Sequence, residues 1–207
     1  MKPEYLQIEV EAIGQRYADL RIADPRAEAL MECSMSTYGQ MTPVIVGSFE
    51  NDVYELIDGF KRLRAAIKLN WRRLDARLFA GGIRAAKAAM INLNIRSHTI
   101  SELEKGLVIQ SLHRQERLTQ VQIAALLNRH KSWVSRRLSL IERLSDEVKE
   151  HLKLGLINMT VGRELALLPR GNQPKALKTV IQYNFTSEET ARLVRLLMKE
   201  PGWNHEK

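Results

Sequence analysis

The stretch LTQVQIAALLNRHKSWVSRRLSLIERL, residues 118–144, predicts two short helices separated by a tight turn. Thr119 can cap the first helix, with Gln122 three residues later in the second position of a capping box. Asn128 tolerates the left-handed conformation in which a helix ends sharply, and we expect Ser132 to cap the next helix. The apolar stripes at helical spacing are Ile123, Ala124 and Leu127, then Val134, Leu138 and Ile141.

This pattern is typical of a helix-turn-helix, whose second helix lies in the major groove and reads base edges. Ala124 fits, because two helices that cross closely need a small residue between them. Residues 114–144 carry seven Arg or Lys against two Glu, a local charge of +5 within the chain total of +8. The alternative is a helical hairpin with a solvated basic face. The predicted DNA-binding residues are Lys131, Ser132, Trp133, Ser135, Arg136, Arg137 and Arg143.

The arginines of the second helix are expected to divide between bases and backbone. Arg136 projects outward near the start of the helix, so we expect it to read a base, most naturally guanine through O6 and N7. Lys131, Arg137 and Arg143 are expected to contact phosphates. For Trp133 two interpretations stand: its ring presses on a thymine methyl or sugar, or it covers the neighbouring helix.

Composition restricts the classes of protein to which the chain can belong. No apolar run approaches the ~20 residues that span a bilayer, and the charged N-terminus does not look like a signal peptide. Cys33 is the single cysteine, which excludes an internal disulfide and fits a reducing cytoplasm; we expect it to be a small buried residue. The five histidines show no metal spacing. We therefore expect a cytoplasmic, nucleoid-associated protein without a membrane partner, whose pI near 9.7 suits a polyanion.

The first half of the chain predicts an α+β fold with a small sheet and helices packed on it. A helix should begin at Asp24 and Pro25, bury Ala29, Leu30 and Cys33, and end at Gly39. Two β-rich runs, 42–49 and 53–58, predict a hairpin around a polar turn at 50–52. The other expected elements are a helix after Gly59 with Leu63, Ala66 and Ile67 inside, a strand at 74–80 and a helix at 83–96.

The second half is predicted to be all-helical. Ser101 with Glu104 should cap a helix that runs to Arg114, and Ser145 should begin one that Gly155 ends. Further helices are expected from Met159 to just before Pro169, at 175–182 after a loop at 171–174, and from Thr186, capped with Glu189, through Met198. The predicted domains are therefore residues 1–97 and residues 98–207, the second carrying the helix-turn-helix at 119–144.

A strand-to-helix turn, ELIDGFKRLRAA at residues 55–66, is the second informative stretch. Gly59 allows backbone N–H groups to approach an anion, and the helix N-terminus adds partial positive charge. Lys61 and Arg62 can supply full charges. On spacing alone the turn predicts either a phosphate site or a helix with merely solvated cations.

GQMTPVIV (39–46), LIDGFKRLRAA (56–66), NLNIR (92–96) and the helix-turn-helix follow one another as in ParB-like partition proteins, where the motifs are GxxxPIxV, GERR and ENxQR. The chain resembles that family from about residue 18 to 170. The resemblance implies a ParB/sulfiredoxin-like N-terminal domain that binds a nucleotide triphosphate, CTP in ParB itself, with Mg²⁺. It implies nucleotide-binding roles for Gly39, Gln40, Pro43, Gly59, Lys61, Arg62 and Arg96.

The resemblance also implies a homodimer on double-stranded DNA and a partition ATPase as a partner. The sequence departs from the family at Phe60, which stands at the glutamate of GERR, and the glutamate of ENxQR has no counterpart. Hydrolysis needs a carboxylate to hold the metal or orient water, so of all that the resemblance implies, a weak CTPase activity is what these departures support least. The chain ends at Lys207 without a separate C-terminal dimerisation domain, and we expect a truncated, divergent member.

Three functional hypotheses follow. The first is a ParB-type, sequence-specific DNA-binding protein with a nucleotide-binding N-terminal domain, acting in plasmid or chromosome partition or in mobile-element maintenance. The second is a transcriptional regulator whose N-terminal half only dimerises or recruits a partner and binds no nucleotide. The third is an enzyme of kinase, sulfiredoxin or nuclease type, which needs a nucleophile or acid/base that Phe60 and Cys33 do not supply.

Overall fold

A mixed sheet with three helices precedes an array of seven helices in the computed structural model, which describes residues 4–49, 53–95, 99–200 and 203. The predicted α+β half followed by an all-helical half is confirmed. The elements of the first half are β1 (Tyr5–Glu9), β2 (Ile13–Gly14), α1 (Pro25–Tyr38), β3 (Val44–Ser48), β4 (Tyr54–Asp58), α2 (Phe60–Lys68), β5 (Arg73–Leu78) and α3 (Ile83–Asn92).

The sheet has the strand order β1-β5-β3-β4-β2. β3 and β4 form the predicted antiparallel hairpin, whose expected turn at 50–52 lies outside the described residues. β5 runs parallel to β3 and antiparallel to β1. Alternate apolar residues of the central strands are fully buried, as the period of two requires. They include Val44, Val46, Leu56, Leu74 and Ala76.

The helices of the second half begin at the predicted caps. Ser101, Thr119 and Thr186 each form a complete capping box, and the Ser145 hydroxyl accepts a hydrogen bond from the Val148 N–H. The elements are α4 (Glu102–Arg114), α5 (Gln120–Leu127), α6 (Lys131–Arg143), α7 (Asp146–Lys153), α8 (Met159–Leu165), α9 (Gln173–Gln182) and α10 (Ser187–Leu197).

The predicted buried face of α1 is wrong. Leu30 is 73% exposed, and Ala29 and Cys33 are exposed as well. The helix turns a mixed face toward α2 instead, where its carboxylates pair with cations and Met35 enters the core. The ion pairs are Glu28 with Arg64 and Glu32 with Lys68. On α2 itself Leu63 and Ala66 are buried as predicted, whereas Ile67 is 47% exposed.

Three helix boundaries also differ from the prediction. α3 ends at Asn92 rather than at 96, and the side chain of Asn94 donates back to the Met90 carbonyl, a local bond that competes with helix continuation. α8 ends at Leu165, well before Pro169. α9 begins at Gln173, because Pro174 lies in its first turn, where the missing N–H costs nothing.

Two apolar cores meet at α6. The first contains the sheet and extends through α3, α4 and α5 to Val134 and Leu138; the second runs from Ile141 and Leu144 through α7 to α10. α6 is therefore anchored at both of its ends. The domain boundary at 97/98 stays a prediction. Among the described residues, none of the helices combines the length and apolarity needed to cross a bilayer.

Candidate nucleic-acid interface and anion cleft

The turn between α5 and α6 has the geometry that the sequence predicts. The Thr119 hydroxyl accepts from the Gln122 N–H at 3.3 Å, and the Gln122 side chain accepts from the Thr119 N–H at 2.9 Å. Asn128 is left-handed, with φ 52° and ψ 53°, and ends α5. Ile123, Ala124 and Leu127 are buried as expected.

The predicted cap of α6 is wrong. His130 occupies the N-cap position without a side-chain cap bond, and Ser132 is the exposed second residue of the helix. The left-handed Asn128 reverses the chain so quickly that the His130 carbonyl already accepts from the Trp133 N–H at 3.0 Å. The inward stripe of Val134, Leu138 and Ile141 is confirmed, since all three are buried.

A glycine that the sequence reasoning missed brings α4 against α6. A Cβ built on Gly106 would lie 2.3 Å from Cγ1 of Ile141, far inside ordinary contact. Only a residue without a side chain fits there. The glycine in mid-helix is visible in the sequence and signals close packing. Its partner, Ile141, lies 35 positions away and cannot be identified from a local pattern.

The outward side of α6 presents cations without carboxylate partners. Lys131, Arg136 and Arg143 are exposed, and none of them forms an ion pair with any residue that the structure describes. Ser135 is half-buried on the same side. A groove of about 450 Å³ continues this surface to α8 and adds Arg163, which the sequence reasoning missed. Its lining residues are Ser135, Arg136, Ser139, Leu140, Arg143, Arg163, Ala166 and Leu167.

Arg137 and Trp133 are directed differently from the rest of the predicted set. Arg137 donates from Nη2 to Oε2 of Glu102 at 2.7 Å, and its guanidinium lies 3.7 Å from the centroid of the Trp133 ring. Burial lowers the pKa of Arg137, although the charge of Glu102 opposes that shift. Trp133 is half-buried against the first core, which agrees with the packing interpretation. The geometry gives no support to a phosphate contact for Arg137.

The predicted nucleotide-binding residues come together around one cleft of about 960 Å³, between α1, the start of α2 and the sheet. Six of the seven line it: Gly39, Gln40, Pro43, Gly59, Lys61 and Arg62. Arg96 lies outside the described residues. Gly59 has φ 102°, and a Cβ there would lie 2.7 Å from Cγ1 of Val44, so the turn requires glycine. The first N–H groups of α2 have no side-chain cap, and the residues that begin the helix, Gly59 to Lys61, line this space.

Two of these six residues are bound to the protein itself. Arg62 donates to the Thr42 carbonyl at 2.8 Å, to the Pro43 carbonyl at 2.6 Å and to Asp58 at 2.9 Å. Burial lowers the pKa of Arg62, while Asp58 acts to raise it. The Gln40 amide donates to the Asp75 carbonyl and accepts from its N–H, both at 2.7 Å. Both side chains therefore hold the loop at Thr42 in place.

Two further cations line the cleft, and the sequence reasoning missed both. Arg77 extends from β5, and Arg21 reaches it from the segment before α1. Nε of Arg21 pairs with Glu104 at 3.3 Å, whereas its buried Nη1 has no hydrogen-bond partner among the residues that the structure describes. Together with Lys61, these arginines give the cleft a cationic wall.

The described residues of the cleft supply few ligands for a metal ion. Asp58 is the carboxylate among its described lining residues, and its two oxygens already accept from Arg62 and Asn94, at 2.9 and 2.8 Å. Among the described residues no group of three or more His, Cys, Asp or Glu could hold an ion.

A helix-turn-helix whose second helix exposes Lys131, Arg136 and Arg143, joined to an α+β domain with a cationic cleft, is the arrangement of a DNA-binding protein. Comparison with known families agrees. Residues 2–95 match the model of the ParB N-terminal domain, and residues 98–199 match that of the ParB HTH domain. The chain belongs to the ParB family.

Relatives in that family include the nucleoid occlusion proteins of Bacillus mycoides (strain KBAB4) and Bacillus thuringiensis (strain Al Hakam). Each is 28% identical to this chain over 195 residues, which are 92% of this chain and 66% of the relative. The chain thus spans slightly less than two thirds of their length. A C-terminally truncated ParB from Caulobacter crescentus, solved with the centromeric parS site, is 20% identical, with a TM-score of 0.47, and covers 92% of this chain and 98% of its own.

Proposed function

We propose that this chain is a ParB-type, sequence-specific DNA-binding protein that acts in plasmid or chromosome partition, in nucleoid occlusion or in mobile-element maintenance. The observation that carries the proposal is α6, which is buried on one side in two cores and on the other exposes cations that pair with no described residue. A solvated basic helix would not need a capped helix-turn-helix and a glycine contact to fix its orientation.

In this proposal the outward residues divide by position. Arg136 lies in the second turn of α6, where it reaches base edges and reads a guanine. Lys131 and Arg143 contact phosphates at the two ends of the helix, and Arg163 adds one from α8 across the groove. Ser132 and Ser135 lie beside them and supply neutral donors. Two copies of the chain bind two half-sites, and a partition ATPase is the expected protein partner.

The test compares binding to random duplex and to an operator, here the duplex that the chain selects from genomic fragments. Arg136→Ala should weaken operator binding by ~1–3 kcal/mol and leave random DNA nearly unchanged. Lys131→Ala should weaken both alike and reduce the salt slope by roughly 0.9. Arg72→Ala removes an equally exposed arginine that pairs with Glu9, outside the helical half, and should change neither. Equal loss on both DNAs for Arg136→Ala would show that it does not read a base.

For the N-terminal half we propose a nucleotide triphosphate, with CTP suggested by the family motifs. The uncapped start of α2 and the side chain of Lys61 face the phosphates, and Arg21 and Arg77 add charge to the lining of the cleft. Gln40 and Arg62 shape the loop rather than touch the ligand. Arg96 remains a proposed ligand from the family motif. Any Mg²⁺ would be held by the phosphates, since the described carboxylate Asp58 is already engaged.

Hydrolysis is not part of the proposal. Phe60, at the glutamate position of the family motif, is 4% exposed and belongs to the first core. Without a carboxylate free to orient water, a bound nucleotide would stay intact. Calorimetric titration with CTP, in the presence and absence of operator DNA, should give a signal that Lys61→Ala weakens. Released phosphate should stay at the background rate.

One observation favours the regulator hypothesis as a second candidate. Arg62, a predicted phosphate ligand, donates its hydrogen bonds to the protein's own backbone and to Asp58. In that case the α+β half would only dimerise or recruit a partner. The same titration decides: no heat with any nucleotide triphosphate, with or without DNA, leaves the regulator standing and removes the nucleotide proposal.

A further inference from the structure

We propose that Glu102 and Arg137 act as a positioning pair that fixes Trp133 and the first turns of α6, so that sequence preference depends on a carboxylate that never touches DNA. The proposal rests on the proposed role of α6 as the DNA-reading helix. It deepens that role by naming residues that act through another residue. Its test includes a measurement made without DNA, so the two proposals can fail separately.

The pair and the ring form a layered contact. The Arg137 guanidinium lies over the Trp133 ring at 3.7 Å, and its Nη1 also donates to the Trp133 carbonyl at 3.3 Å. Its Nη2 donates to Oε2 of Glu102 at 2.7 Å. The side chain of Arg137 is 18% exposed and that of Glu102 33%. An arginine held in this way cannot also reach a phosphate without breaking the stack.

Glu102 is itself held in place. It is the first residue of α4, where the helix N-terminus favours a negative charge. The capping box of Ser101 fixes the backbone beside it. Its other oxygen accepts from Lys105 at 2.7 Å. Burial would raise the pKa of Glu102, but Lys105 and Arg137 outweigh it and hold the pKa below its usual value. The carboxylate is therefore charged at neutral pH and fixed in direction.

Trp133 transmits this order to the surface that meets DNA. It is the third residue of α6, between the exposed Ser132 and the residues that follow on the outward side. Its ring packs against the first core, and Arg129 lies near it as well, at 5.6 Å. Because an arginine stacks as a planar group, a lysine at 137 would restore the charge but not the layered contact.

A phosphate contact and a positioning role predict opposite signatures. Loss of an arginine that binds a phosphate reduces the magnitude of the negative slope of log association constant against log salt by about 0.9. It also weakens binding to all duplexes alike. Loss of a positioning residue leaves that slope unchanged and lowers only the preference for operator. Glu102 sharpens the distinction, because removing a negative charge near DNA should by charge alone strengthen binding to any duplex.

The experiment uses the full chain and the variants Glu102→Gln, Arg137→Met, Arg137→Lys and the double Glu102→Gln/Arg137→Met. Dissociation constants are measured on operator and on random duplex across a range of salt. We expect each single variant with a broken pair to lose about tenfold in operator preference at unchanged salt slope, which corresponds to about 1.4 kcal/mol. The double variant should lose no more than the larger single loss, because the two residues act as a unit. The operator preference of Arg137→Lys should lie between that of the parent chain and that of Arg137→Met.

Arg143→Met is the matched control, since it removes an exposed arginine two turns further along the same helix. It should lower the salt slope by about 0.9 and keep operator preference. If Arg137→Met behaves like Arg143→Met, or if Glu102→Gln keeps full operator preference, the proposal is overturned.

Near-ultraviolet circular dichroism of the free protein measures, without DNA, how firmly the Trp133 ring is held. Glu102→Gln and Arg137→Met should both reduce the tryptophan signal, and a Trp133→Phe variant identifies the part of the signal that belongs to Trp133. An unchanged tryptophan signal in both variants refutes the positioning pair even if the chain binds DNA. If both variants lose the tryptophan signal but the parent chain binds no duplex, the proposed function is refuted. The contact between Glu102, Arg137 and Trp133 then has a structural role alone.

Discussion

Gly106→Ala should destabilise this protein, although alanine in mid-helix normally stabilises by about 1 kcal/mol relative to glycine. The added Cβ would lie 2.3 Å from Cγ1 and 2.7 Å from Cδ1 of Ile141, whereas carbon atoms pack at about 3.5–4.0 Å. Ile141 is fully buried and branched at Cβ, so it cannot turn aside without strain. Overpacking of this kind costs about 1–3 kcal/mol, and we take the upper end. The net expectation is a loss of about 2 kcal/mol.

Urea unfolding followed by circular dichroism measures this loss as a fall in the midpoint at unchanged slope. Ile141→Ala alone should cost ~2–5 kcal/mol by leaving a cavity. The double variant Gly106→Ala/Ile141→Ala should lose at least about 1 kcal/mol less than the sum, since the new methyl enters that cavity. Gly171→Ala, where a Cβ meets nothing within 4 Å, should stay within about 0.5 kcal/mol of the parent. A Gly106→Ala protein as stable as the parent would refute the close approach of α4 and α6.

The remaining predictions concern a cap, a buried ion pair and a pH dependence. Thr119→Ala should lower the free energy of unfolding by about 1 kcal/mol through loss of the capping box of α5, and an unchanged urea midpoint would contradict it. Lys87→Met should cost about 3 kcal/mol in the same assay, because it leaves Glu116 without the Nζ partner at 2.7 Å, and Lys87→Met/Glu116→Gln should recover part of that loss. Burial acts to raise the pKa of Glu102, but its cationic neighbours lower it below 4.5. Its contribution to stability should therefore be complete above about pH 4.5 and be lost as the pH falls through the lowered folded-state pKa, a dependence that Glu102→Gln should weaken in urea midpoints measured from about pH 3 to 6.

The helix-turn-helix could be predicted from sequence because its signals are local. A capping box spans four residues, a left-handed Asn128 acts on its own turn, and the stripes of α5 and α6 repeat within one helix. Helix starts at Ser101 and Thr186 were predictable for the same reason.

Features set by distant partners could not be predicted in this way. The buried face of α1 depends on Arg64 and Lys68 of α2, which turn the carboxylates of α1 inward and leave Leu30 outside. Likewise the role of Arg137 depends on Glu102, 35 residues earlier in the chain. No local pattern distinguishes a cation that faces DNA from one that holds its own helix.

The cleft shows the same division. The motifs correctly bring six residues to one cavity, because strand–glycine–helix geometry fixes where the turn lies. They do not tell that Gln40 and Arg62 bind the loop at Thr42. Nor do they tell that Arg21 and Arg77 also line the cleft, the former paired with Glu104. Which donors remain free for a ligand follows from hydrogen bonds between separate elements.

Selection of genomic fragments with the parent chain and with Arg136→Ala, followed by sequencing, would show whether α6 reads DNA. If α6 reads DNA through its outward side, the parent should enrich a short inverted repeat, whose symmetry reports two bound copies. Arg136→Ala should enrich the same repeat with the preference lost at one base of each half-site. Enrichment of no common sequence by the parent, or an identical motif from both proteins, would contradict the account.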